Sequence, residues 1–133
     1  MFGDNLLVGV HQYKIDSKGR MFLPASTGRE YGEKVYLVYD NELETYAIYP
    51  DKVLREMMKK YDDQIPKSSS TAELKFNKEK LEEFSRNVLG SFAVDTQGRI
   101  CFGNKLDYEG QIDIVGAYNR LILRFPKKTN TKC

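Results

Sequence analysis

The chain has 133 residues, 41% hydrophobic and 30% charged, which suits one soluble domain or two very small ones and excludes a large multidomain enzyme. Lysine and arginine total 21 against 19 aspartates and glutamates, so a net charge of +2 creates no chain-wide field for nucleic acid. Any polyanion-binding surface must concentrate its charge locally.

The opening Met1–Val8 lacks the basic start and apolar run of a secretory signal, and no window reaches the ~18–20 apolar residues of a membrane span. Two cysteines, Cys101 and Cys133, without CxxC spacing and with a single histidine, cannot form a cysteine/histidine zinc site. The expectation is a reduced, cytoplasmic protein with no metal, no cofactor and no membrane partner.

Tyr13 and Ile15 alternate ahead of Asp16-Ser17-Lys18-Gly19-Arg20, a strand running into a hairpin tip. Asp16 can accept backbone N–H bonds and Gly19 can take a positive φ, so both are turn-forming residues. Pro24–Tyr31 reads as a short helical turn with proline at its first position. Val35–Tyr39 and Tyr46–Tyr49 form a second strand pair around Asn41-Glu42. Over Asp51–Tyr61 the residues Val53, Leu54, Met57, Met58 and Tyr61 make one apolar helical stripe. The loop Gln64–Ser70 breaks it. Thr71–Leu89 predicts a second helix with Leu74, Leu81, Phe84, Val88 and Leu89 on a shared face, Ser70 or Thr71 as N-cap, and Gly90 as its end.

The first pattern then recurs. Asp95-Thr96-Gln97-Gly98-Arg99-Ile100-Cys101-Phe102 repeats Asp16–Leu23 at an offset of 79, with Phe92 and Val94 alternating before it. Asp95 and Gly98 are the second pair of turn-forming residues. Gln111–Gly116 and Arg120–Phe125 match the second strand pair, with Ala117-Tyr118-Asn119 turning between them. A unit of about forty residues seldom buries enough apolar surface to stand alone, so the two copies must pack on each other. The predicted organisation is a first repeat over 8–50, a helical linker over 51–89, a second repeat over 90–126 and a polar tail over 127–133. Leftover strand edges favour self-association.

The runs Tyr13-x-Ile15-Asp16-Ser17-Lys18-Gly19-Arg20-x-x-Leu23-Pro24, Val94-Asp95-Thr96-Gln97-Gly98-Arg99-Ile100 and Val115-Gly116-x-x-Asn119-Arg120 resemble the MraZ family of bacterial transcriptional regulators, over roughly residues 8–126. The resemblance implies an α+β, mainly β fold: two tandem pseudo-symmetric AbrB/SpoVT-like repeats forming a double-split, swapped-hairpin β-barrel with two linking helices. It also implies a ring-shaped homo-oligomer, cytoplasmic and nucleoid-associated, that binds direct repeats in double-stranded promoter DNA. There it would act chiefly as a repressor of its own division and cell-wall operon. The DNA-facing role falls on Arg20 and Arg99, with Lys18 and Gln97 as secondary candidates. The sequence departs from the family in having Gly103 where the second repeat usually has proline, in a less aromatic Asn87-Val88-Leu89, and in stopping soon after Phe125-Pro126, where a C-terminal helix is usual.

Arginine suits the role because its planar fork matches phosphate oxygens or the O6/N7 edge of guanine. Asp16 and Asp95 are turn-fixing rather than DNA-contacting, since a carboxylate repels phosphate. His11 has no partnered nucleophile and reads as a surface or edge residue. Cys101, inside an apolar run, reads as a small core residue. Glu82-Glu83 and Asp62-Asp63 read as solvated faces; Lys59-Lys60 and the lysines of the tail read as solubilising. Tyr13, Tyr36, Tyr46 and Tyr49 fit core and cross-strand packing. No nucleotide-binding glycine loop occurs and no nucleophile stands in a recognisable elbow, so neither an enzyme nor a small-molecule substrate is expected. The alternative function is a ring-forming protein-interaction module that uses the hairpin tips for a protein partner.

Overall fold

Alternating apolar residues in β1 (Leu7–Ile15), β3 (Lys34–Asp40), β7 (Gly110–Tyr118) and β8 (Leu121–Arg124) give each strand one side to bury, and the chain satisfies them in a six-stranded sheet of order β1-β7-β8-β4-β3-β5. The remaining strands of that sheet are β4 (Thr45–Pro50) and β5 (Val88–Ala93), and every pairing is antiparallel. A second, two-stranded sheet joins β2 (Arg20–Phe22) to β6 (Arg99–Cys101). The computed structural model describes residues 7–23 and 34–126, so the helical turn expected at Pro24–Tyr31 and the tail 127–133 lie outside the described residues.

The pairing exchanges strands between the two halves. β1 pairs with β7 over nine residues, from Leu7↔Tyr118 to Ile15↔Gly110, while its counterpart β5 pairs with β3. β4 meets β8 at the centre through Ala47↔Ile122 and Ile48↔Leu121. Swapping β1 with β5, β2 with β6, β3 with β7 and β4 with β8 reverses the sheet order onto itself, so the sheet has the internal twofold relation of the sequence. The architecture is α+β, mainly β, with two linking helices.

Two apolar clusters hold it. One joins Ile15, Met21, Leu23, Val35, Leu37, Ile48, Ile100, Phe102, Leu106, Ile112, Ile114, Leu121 and Leu123, with contributions from both halves. The other places Val38, Ala47 and Tyr49 beneath Val53 and Leu54 of α1 (Asp51–Gln64), with Phe84 of α2 (Thr71–Arg86) packed alongside. β4 is therefore covered on both faces, which is why Ala47, Ile48, Tyr49 and Pro50 are all buried in succession. Tyr13, Tyr36 and Tyr46 pack against these clusters.

Both helices form as the stripes predict, with different ends. Ser70 caps α2 by accepting the Glu73 N–H at 3.0 Å, while Glu73 returns to the Ser69 N–H and hydroxyl. The helix stops at Arg86 rather than Leu89. Asn87 closes it on the carbonyls of Glu83, Phe84 and Ser85, and Val88 and Leu89 leave the predicted helical face to open β5. Gly90 lies inside that strand opposite Leu37, and a bulge between Leu37 and Val38 absorbs the irregular entry. The sheet ladder of β3 thus outweighs one more helical turn. β7 likewise runs through Tyr118, leaving Asn119-Arg120 as the two residues of the β7–β8 turn. Gly103 starts a single 3-10 turn, Gly103–Lys105, at φ 59°. No helix among the described residues is long and apolar enough to cross a membrane.

Candidate nucleic-acid interface

Each hairpin tip is organised by its aspartate. Asp16 Oδ1 accepts the backbone N–H groups of Lys18 and Arg20, both at 2.9 Å, and Oδ2 accepts Arg20 Nε at 2.7 Å. Asp95 repeats this with Gln97 N (2.9 Å), Arg99 N (2.8 Å) and Arg99 Nε (2.8 Å). In both tips the backbone N–H of the arginine is the largest influence holding the carboxyl below its ordinary pKa; desolvation opposes it, and the arginine side chain and the remaining N–H reinforce it. Gly19 and Gly98 turn the chain at φ 77° and 83°, which a side chain would strain.

The two tips are also tied to each other. Leu23 N–H donates to Gly98 O at 2.9 Å, and its counterpart Phe102 N–H donates to Gly19 O at 2.8 Å. Gly19 sits so close to Gly103 that a Cβ would lie 2.6 Å from its carbonyl oxygen. Between these ties runs the β2–β6 ribbon in the register Arg20↔Cys101, Met21↔Ile100 and Phe22↔Arg99. Met21 and Ile100 are buried beneath it and anchor it to the core.

Strand alternation therefore turns Arg20, Phe22, Arg99 and Cys101 outward on one face. The arginines occupy diagonal corners, a separation of ~7–8 Å between such side-chain positions. Their side chains are 46% and 40% exposed. Each commits Nε to its own aspartate, and among the described residues no second carboxylate pairs with either guanidinium. Lys18 and Gln97 stand exposed at the tips, with their backbone N–H groups held in the turns. The aspartates orient the arginines and partly offset their charge, and among the described residues Lys18 has no carboxylate within ion-pair distance.

Cys101 corrects the expectation of a core position. It is exposed, because alternation in a three-residue strand buries Ile100 and turns its neighbours out; its Sγ lies 3.5 Å from Lys18 O. Phe22, its diagonal partner, is 48% exposed and was not singled out from the sequence, although its i, i+2 spacing from Arg20 carries the signal. His11 lies half-buried on the end strand β1, 6.5 Å from the Tyr13 ring and outside the β2–β6 ribbon. Asp62, Asp63, Glu82 and Glu83 are exposed, and Glu83 accepts Asn41 Nδ2 at 2.9 Å.

No family model matches the chain. The transcriptional regulator MraZ of Caldanaerobacter subterraneus subsp. tengcongensis is 31% identical over 113 residues, which is 81% of this chain and 70% of that protein. The transcriptional regulator MraZ of Caldicellulosiruptor bescii is 31% identical over 125 residues, 87% of this chain and 78% of that protein. At that identity and coverage, with an α+β sheet linked by two helices, the chain belongs to the MraZ family of transcriptional regulators.

Proposed function

We propose that this protein is a sequence-specific DNA-binding regulator of transcription, and that the outward face of the β2–β6 ribbon enters the major groove. The observation that carries the reading is the placement of Arg20 and Arg99 on one exposed face of a two-stranded ribbon, an element of the size the groove, about 12 Å wide, admits. Arg20 and Arg99 are the principal contacts, and Lys18 and Gln97 reach the adjoining backbone. Asp16 and Asp95 fix each tip before DNA arrives, so little ordering entropy is lost on binding.

Two arginines per protomer bind weakly on their own. Copies joined in a ring and set on direct repeats raise the effective concentration of each successive contact, which reconciles DNA binding with a net charge of only +2. The regulatory role that fits the family is repression of its own division and cell-wall operon from promoter repeats, in the cytoplasm at the nucleoid. The activity is binding rather than catalysis.

A mobility-shift titration on the protein's own upstream region, repeated across salt concentrations, tests this. Wild type should bind with a steep salt dependence, of slope about −0.9 for each phosphate neutralised. Arg20→Ala and Arg99→Ala should each weaken specific binding while the proteins melt normally. Unchanged affinity in both variants overturns the assignment of these arginines. A folded, oligomeric wild type that binds no upstream duplex at low salt supports a protein partner at the tips instead.

A further inference from the structure

Four large apolar side chains are markedly exposed among the described residues: Val10, Phe22, Leu43 and Phe76. Val10 lies on β1, Leu43 in the β3–β4 turn and Phe76 on α2; Phe22 alone shares the ribbon face with the arginines. We propose that Phe22 is a sequence-reading residue, its ring packing on the 5-methyl group of a thymine in the major groove. This rests on the DNA-binding reading above and specifies what that face recognises.

The ribbon face is a lattice of four corners. Arg20 and Arg99 occupy one diagonal, and Phe22 and Cys101 the other. Phe22 lies directly across from Arg99, yet among the described residues the cation–π contacts are made by Lys34, Lys80 and Arg120, none of them on this ring. The reason is local: Asp95 holds Arg99 Nε at 2.8 Å and Asp16 holds Arg20 Nε at 2.7 Å, drawing both guanidiniums toward their tips. Among the described residues no cation covers the ring, which stays half exposed. Met21 and Ile100 anchor the ribbon from the buried side, opposite Phe22.

In the major groove guanine offers two acceptors suited to arginine, and thymine offers the one apolar feature of any base edge there, its methyl group. The minor groove offers no methyl. A face that places donors and an aromatic ring side by side is complementary to guanine and thymine presented in the same groove. Along β2 the i, i+2 spacing separates Arg20 from Phe22 by about 6.8 Å, which matches the rise of two base steps along the DNA axis at about 3.4 Å each. Contacts to phosphate alone would use the arginines and leave Phe22 exposed to water.

The test compares the upstream duplex amplified with dTTP against the same duplex amplified with dUTP from uracil-containing primers, which deletes every thymine 5-methyl group and leaves hydrogen bonding intact. Wild type should lose about fourfold in affinity per bound repeat on the uracil duplex, the equivalent of one apolar carbon returned to water. Phe22→Ser should bind the thymine duplex correspondingly more weakly and respond little to the exchange, and Phe22→Leu should retain part of the response. The salt slope of Phe22→Ser should equal that of wild type, because no phosphate contact is removed; a collapsed ribbon would displace the arginines and flatten it. Equal wild-type binding to both duplexes overturns the role of Phe22 while sparing the DNA-binding reading. An equal thymine preference in wild type and Phe22→Ser assigns the methyl to another residue and likewise overturns it. Failure of wild type to bind either duplex removes both readings.

Discussion

The close approach of the first tip to the second half of the chain makes Gly19→Ala a sharp probe of how the ribbon is held. The substitution places a methyl group 2.6 Å from Gly103 O and 2.8 Å from Gly103 N, and it forces a side chain to keep φ 77°. The left-handed conformation costs ~1–2 kcal/mol and the overpacking a further ~1–3 kcal/mol, since the obstruction is backbone and cannot rotate away. The expected loss is ~2–5 kcal/mol, against a total of ~5–15 kcal/mol for a folded domain. Gly103→Ala is the matched control. It also sits at positive φ, 59°, but among the described residues beyond its chain neighbours no atom lies within 4 Å of its new Cβ, leaving the conformational cost of ~1–2 kcal/mol alone. Equilibrium urea unfolding at one protein concentration should move the Gly19→Ala midpoint down by roughly 1–3 M and the Gly103→Ala midpoint by less, with similar slopes. Equal midpoints in the two variants would refute the claim that contact between Gly19 and Gly103, rather than backbone conformation, dominates this site.

Acid behaviour should follow the two tip aspartates. Their folded pKa values lie below the ordinary carboxylate value, so their contribution to stability is present above about pH 4 and is lost as pH falls through the depressed values. An Asp16→Asn/Asp95→Asn variant should lose less stability than wild type between about pH 5 and pH 2, and parallel acid limbs in the two proteins would contradict this. In a Cys133→Ser background, Cys101 should react with a disulfide reagent in the native protein at close to the rate of a free thiol, and bound upstream DNA should slow it; a native thiol that reacts only after unfolding would place Cys101 inside after all. Ser70→Ala removes the α2 cap and should cost ~0.5–2 kcal/mol in thermal unfolding, with DNA affinity unchanged because α2 lies away from the ribbon; a variant that melts like wild type would show the cap to be idle.

Much of the fold is local and therefore readable in the chain. The Asp-x-x-Gly-Arg tips need only five residues to define their bonds, and each of the stripes behind α1 and α2 lies within one helix. The repeat at an offset of 79 predicts that whatever one half does, the other does too. Local preference misleads where it meets a distant partner. Val88 and Leu89 continue a helical stripe as well as they begin a strand, and pairing with β3 decides for the strand. Cys101 stands in an apolar run, but three residues are too few for alternation to reveal which way the run faces until Met21 and Ile100 are seen packing into the core together.

By itself the sequence determined the two aspartate-and-glycine tips, the two helices and the family resemblance; the tips and helices depend on neighbours a few residues away, whereas the hold of each aspartate on its arginine side chain came with the structure. Only the tertiary structure decided that β1 pairs with β7 and β5 with β3, and that the two short strands leaving the tips become one ribbon. That choice is made by burial between residues from 50 to 111 positions apart in the chain, and in the ribbon by Met21 beside Ile100, with the Leu23–Gly98 and Phe102–Gly19 bonds closing the ends. It brings two arginines far apart in the chain onto one face, with Phe22 exposed beside them.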